Sequence, residues 1–117
     1  MKWEANFKNA QQDAEILKAH LEKSISKKYD VDALGKAIYK SPYQAVRIFK
    51  KVYGITPYCY YTTLRTHKAK LLLETTDLSI RQIALALEFE DEHCFSTFFK
   101  KRVGISPSQY RETTKST

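Results

Sequence analysis

Residues 99–111 read FKKRVGISPSQYR, and fifty positions earlier residues 49–61 read FKKVYGITPYCYY. Phe, Lys, Lys, Gly, Ile, Pro and Tyr recur in the same order, with a Ser or Thr directly before each Pro. A Gly after an apolar-periodic run marks a left-handed helix C-cap. Ser/Thr-Pro marks an N-cap followed by Pro at the first helical position, where the missing N–H would have had no partner anyway. Each copy therefore closes one helix and opens the next.

Working outward, Ser41-Pro42 repeats the start signal, Asp30 is a further N-cap, and Ser79 with Gln82 forms a capping box. No strand alternation or hairpin dipeptide is present. The chain reads as all-α, with about seven helices over residues 10–27, 31–39, 42–53, 57–74, 80–88, 92–103 and 107–113. The second and third helices are separated by a very short turn, and so are the fifth and sixth. Each pair is a helix-turn-helix unit, and the long fourth helix joins the two units. Gly35 and Ala84 hold matching positions in the first helix of each unit, where a small side chain lets the second helix pack close. The domains follow as residues 1–9 (an extension or a linker from an absent domain), 10–55 (first unit), 56–75 (linker helix) and 76–117 (second unit and tail).

The chain has 117 residues, 43% of them apolar, enough to bury a core. No apolar run is long enough to cross a bilayer, and the first residues have no signal-peptide centre, which places the chain in the cytoplasm. Cys59 and Cys94 have no metal-ligand spacing and read as reduced, partly buried thiols. His93 beside Cys94 lacks the further ligands a metal would need, and no cofactor motif is present. His20, His67 and His93 stand singly on helical patterns, so no catalytic constellation is expected.

The net charge is +7, which suits nucleic acid first and an anionic membrane surface second. Its distribution says more. Residues 36–53 carry Lys36, Lys40, Arg47, Lys50 and Lys51 with no acid. Residues 78–103 carry Arg81, Lys100, Lys101 and Arg102 against Glu88, Glu90, Asp91 and Glu92.

From about Ile16 to Arg111 the sequence resembles the DNA-binding domain of the AraC/XylS family of bacterial transcription regulators. Phe95, Phe99, Lys100, Gly104, Ser106, Pro107, Tyr110 and Arg111 follow the family's closing motif, F-x-x-x-F-K-x-x-x-G-x-S-P-x-x-[YF]-R. Tyr60, Leu64, Arg65, Ala69, Leu72 and Leu73 match its linker helix. The resemblance implies seven helices in two helix-turn-helix subdomains, each able to place a recognition helix in the major groove of double-stranded DNA. A linker helix of 18 residues would be about 27 Å long. Successive major-groove segments lie roughly 34 Å apart. One chain could then read two half-sites as a dimer does.

Matched residue by residue, the base-facing positions of the first unit are Tyr43, Val46 and Arg47, with Gln44 beside them. Ala45, Ile48, Phe49 and Val52 form the core stripe. An Arg can fork onto a guanine, worth about 1–3 kcal/mol of discrimination. Lys40, Ser41, Lys50 and Lys51 are assigned to phosphate. In the second unit Glu92, His93, Ser96 and Thr97 face the groove, and Lys100, Lys101 and Arg102 meet phosphate. Many family members have Arg where Thr97 stands, and Tyr39 and Glu88 replace the usual turn glycines. A non-glycine there is expected either at positive φ, at a cost of about 1 kcal/mol, or in a different turn. Two readings of the second unit stay open. Glu92 accepts from a cytosine amine beside His93, or the unit is scaffold plus phosphate contact; the second is favoured.

Trp3, Phe7, Ala10, Ala14, Leu17 and Leu21 form a heptad-like stripe. For Leu17 and Leu21 it reads as the inner face of the first helix. Trp3 and Phe7 either cap the core or end a connection from another domain. Most relatives carry a sensor or dimerisation domain. Either it is missing from this chain, or the chain is a single-domain regulator. The resemblance further implies an activator that touches RNA polymerase. The competing function is a protein-interaction module of the same fold without specific DNA reading.

Overall fold

The computed structural model describes residues 2–115, with side chains from residue 9 onward. Seven helices account for the fold, and no strand is present among the described residues: α1 Lys2–Lys23, α2 Val31–Ala37, α3 Pro42–Tyr53, α4 Pro57–Thr75, α5 Ile80–Ala86, α6 Glu92–Val103 and α7 Pro107–Lys115. Among the described residues, no helix is long and apolar enough to cross a membrane.

The start and stop signals act as read. Ser41 and Ser79 each accept from the N–H three residues on, while Gln44 and Gln82 reach back to the cap N–H, forming two capping boxes. Ser106 and Gln109 form a third, at 3.0 and 3.2 Å. Asp30 and Asp91 cap α2 and α6. Gly54 and Gly104 close α3 and α6 at φ +79° and +97°.

Two groups of contacts build two compact units. The first comprises α1, α2, α3 and α4 up to Thr62. Leu17, Leu21, Leu34, Ile38, Ala45, Phe49 and Tyr61 form its core. The second comprises residues 25–28 and everything from Thr63 on. Its core is Ala69, Leu73, Ile83, Ala84, Leu87, Phe95 and Phe99.

The duplication extends to individual contacts. Tyr60 stacks on Phe49 at 5.8 Å and donates its hydroxyl to Glu22 at 2.7 Å. Tyr110 packs edge-on against Phe99 at 5.5 Å and donates to Glu74. Gly35 and Ala84 are both buried. Their carbonyls accept from Lys40 N–H and Phe89 N–H, both at 2.9 Å. A methyl on Gly35 would lie 2.6 Å from the Lys40 carbonyl oxygen and 2.8 Å from the Pro42 nitrogen. Four residues separate α2 from α3 and five separate α5 from α6. The second turn is thus one residue longer where Ala84 replaces the glycine.

Several expectations need correction. The first helix runs from Lys2 to Lys23, not over 10–27. No Gly or Pro interrupts it earlier. It ends where Ser24 turns back onto the His20 carbonyl through both N–H and hydroxyl, at 3.1 and 2.8 Å. Beyond that point the buried Arg65 takes the carbonyls of Ile25 and Lys27, at 2.8 and 3.3 Å, and covers the Phe89 ring at 4.4 Å. The helices expected over 31–39 and 80–88 stop at Ala37 and Ala86, because Tyr39 and Glu88 adopt φ +58°. The positive-φ form of the turn is therefore the one adopted. Cys59 and Cys94 are exposed, not partly buried, since both lie off the core stripes of their helices. Ala14, Leu17 and Leu21 do line the inner face of α1. The side chains of Trp3 and Phe7 lie outside the described residues.

Candidate nucleic-acid interface

In each helix-turn-helix pair, α2–α3 and α5–α6, the second helix keeps one face exposed. In α3 the burial of Ala45 and Phe49 fixes the rotation, with Ile48 and Val52 half-buried beside them. Tyr43, Gln44, Arg47, Lys50 and Lys51 are exposed and Val46 is half-buried. The Arg47 guanidinium lies 5.8 Å from the Tyr43 ring centroid, within cation–π range. Tyr43 and Arg47, two of the positions expected to face the groove, thus brace each other one turn apart.

Three expected contacts are partly committed inside the unit. Gln44 Oε1 accepts from Ser41 N–H and hydroxyl at 3.1 and 3.2 Å, and Ser41 Oγ accepts from Gln44 N–H at 3.2 Å. Only the amide nitrogen of Gln44 keeps donors to offer a base. Lys40 Nζ donates to Asp13 Oδ2 at 2.8 Å, which ties the turn to α1. Asp13 lies 27 residues away and has no local sequence signal, whereas the S-x-x-Q box over 41–44 was legible. Ala10 of α1 joins Gln44, Arg47, Ile48 and Lys51 around a shallow concavity.

In α6 the buried pair is Phe95 and Phe99. Glu92, His93 and Thr97 are exposed and Ser96 is half-buried. Glu92, His93 and Ser96 share a concavity with Arg81, Leu85, Glu90 and Asp91; Thr97 is not among its lining. Leu85, 56% exposed, occupies the place that Lys36 holds in the first unit. Asp91 accepts from Cys94 N–H at 2.7 Å, and this bond holds its carboxyl below its ordinary value. The same carboxylate pushes the Cys94 thiol up, which keeps it protonated. Lys100, Lys101 and Arg102 are exposed in the last turn, at the opposite end of the helix from Glu92. Arg102 stacks on Phe98 at 4.4 Å and stands beside Thr66, His67 and Lys70 of α4, away from Glu92, His93 and Ser96.

The second unit is held by a residue whose role the motif alone did not reveal. Arg111 donates Nε to Leu73 O at 3.1 Å, Nη1 to Leu78 O at 2.6 Å and Nη2 to Thr76 O at 3.3 Å. It satisfies the carbonyls at and beyond the C-terminus of α4, which would otherwise lack partners. Among the described residues, no group of three or more His, Cys, Asp or Glu could hold a metal ion.

Residues 34–113 match the family model described as "Helix-turn-helix domain". The chain is 32% identical over 101 residues to the "Bifunctional transcriptional activator/DNA repair enzyme AdaA" of Bacillus subtilis. That match spans 86% of this chain and 48% of AdaA, so the chain covers just under half of that relative. In structure it is similar to the C-terminal domain of AraT, a response regulator from Geobacillus stearothermophilus. The TM-score is 0.81 at 32% identity, over 86% of this chain and 84% of that one. It is also similar to the DNA-binding domain of the global transcriptional factor AdpA, solved with a target DNA. There the TM-score is 0.79 at 26% identity, over 88% and 93% of the two chains. The chain belongs to the AraC/XylS family of transcription regulators, and its two helix-turn-helix units are that family's DNA-binding domain.

Proposed function

We propose that this chain is the DNA-binding output of a cytoplasmic bacterial transcription activator, working without catalysis or a cofactor. The observation that carries the reading is the acid-free outer face of α3, where exposed Tyr43, Arg47, Lys50 and Lys51 surround half-buried Val46. On this reading α3 enters a major-groove segment. Arg47, braced by Tyr43, donates to a guanine, Tyr43 and Val46 meet thymine methyls, and the Gln44 amide nitrogen offers a further donor. Lys50 and Lys51 hold phosphate, and the Ser41 hydroxyl joins them only by leaving Gln44 Oε1.

The second unit meets the neighbouring segment mainly through Lys100 and Lys101, with Arg102 at its edge. Glu88, Glu90, Asp91 and Glu92 repel phosphate at the other end of α6, so His93, Ser96 and Thr97 contribute little base reading. A sensor or dimerisation domain and RNA polymerase are the protein partners this output would serve.

The test is fluorescence anisotropy with short duplexes over stepped salt. Affinity should fall linearly on a log–log plot, with a slope of about −0.9 per phosphate neutralised. Lys50→Ala with Lys51→Ala should make that slope shallower by about two contacts. Absence of duplex affinity at low salt would sink the reading and favour a protein-interaction module.

A further inference from the structure

Tyr39 combines two properties that ordinary folding does not reward. Its backbone sits at φ +58°, where an L-residue is strained and glycine is not. Its side chain is 97% exposed, so packing in the free chain returns almost nothing for that strain. Residues held in such conformations cluster where a surface is used.

The setting indicates the use. Tyr39 lies in the turn between α2 and α3, two residues before the Ser41 cap of the recognition helix. The adjacent cation, Lys40, is engaged by Asp13. The Ser41 hydroxyl donates to Gln44 Oε1, so the phenol is the uncommitted side-chain hydroxyl of this turn. Glu88 occupies the same place in the second unit, at the same φ and also exposed. Its carboxylate has no donor and repels phosphate. The two copies thus keep the strain and differ in the chemistry they present.

We propose that Tyr39 is a DNA-contact residue whose hydroxyl donates to a phosphate oxygen of the strand bordering the groove that α3 enters. This rests on the DNA-reading assignment of α3. A neutral donor fixes the register of the helix on the duplex without releasing a counterion. Removing it should lower affinity and leave the salt dependence alone.

The experiment uses the full chain and a duplex it selects from a random pool. Binding of Tyr39→Phe, Tyr39→Gly, Glu88→Gly and Arg47→Ala is measured across salt, and each variant is unfolded in urea. Tyr39→Phe and Tyr39→Gly should each bind about three- to tenfold more weakly, with an unchanged salt slope. Tyr39→Gly should at the same time unfold at higher urea, so its loss of affinity cannot come from loss of fold. Glu88→Gly should gain stability without losing affinity. Wild-type binding by Tyr39→Phe would overturn the contact. If Arg47→Ala is weakened while Tyr39→Phe is not, the phosphate contact alone fails. If neither is weakened, the reading of α3 fails with it.

Discussion

Replacing Gly35 by alanine adds one methyl group, and the surrounding backbone determines what that costs. The new Cβ would sit 2.6 Å from Lys40 O, 2.8 Å from Pro42 N and 2.9 Å from Ser41 C. All three are backbone atoms of the turn or of the first residue of α3, so no side-chain rotation relieves them. Alanine is better than glycine within a helix by about 1 kcal/mol. Overpacking of this kind costs about 1–3 kcal/mol. The Lys40 N–H to Gly35 carbonyl bond, 2.9 Å long, is strained as the turn shifts, at roughly 1 kcal/mol more. The net loss is about 1–3 kcal/mol. With a urea m-value of about 1–3 kcal/mol/M, the midpoint falls by about 1 M. The assay is urea unfolding followed by circular dichroism, with Ala84→Gly as the partner variant. The reverse change at the equivalent site should also destabilise, by about 1–2 kcal/mol, through lost helix propensity and a lost buried methyl. A Gly35→Ala chain as stable as the wild type, or more so, would refute the close approach of α2 to the start of α3.

Arg111→Ala should destabilise the second unit by about 2–4 kcal/mol, because three carbonyls lose charge-assisted donors. Arg111→Lys should recover little of this, since an ammonium cannot fork to all three; thermal unfolding of both variants checks it. Asp13→Ala should cost less than about 1 kcal/mol of stability. By freeing Lys40 for phosphate it should also raise duplex affinity and steepen the salt slope by about 0.9; an unchanged slope would keep Lys40 out of the interface. The hydroxyls of Tyr60 and Tyr110 are both pushed up to about 12, Tyr60 chiefly by burial and then by Glu22, Tyr110 chiefly by its bond to Glu74. Their stabilisation is complete below about pH 10, the ordinary tyrosine value, and is lost as pH rises towards 12. Absorbance of tyrosinate should show this late titration, and Tyr60→Phe with Tyr110→Phe should reduce it and flatten the fall in urea midpoint over that window, leaving the smaller upward shifts of Tyr29 and Tyr53.

The parts of the fold written in adjacent residues were legible. The bounds of α3 and α6 follow from Ser41-Pro42, Gly54, Asp91 and Gly104, because caps act within one turn. The buried pairs Ala45/Phe49 and Phe95/Phe99 follow from helical spacing. What was missed is long-range. Past the end of α1, the path of residues 25–27 is held by Arg65, some forty residues on, which takes the carbonyls of Ile25 and Lys27. The hold of Arg111 on the carbonyls of Leu73, Thr76 and Leu78, and the engagement of Lys40 by Asp13, are likewise long-range. Spacing on a helix gave the outward positions of Tyr43 and Arg47, while their mutual bracing at 5.8 Å is a rotamer fact that sequence does not carry.

The claim that the first unit reads bases and the second braces the chain on phosphate meets its most direct test in selection from a random duplex pool, with wild type and Arg47→Ala side by side. One strongly conserved block is expected, containing a guanine whose preference disappears in Arg47→Ala. Two equally conserved blocks, or a wild-type preference that survives Arg47→Ala, would contradict it.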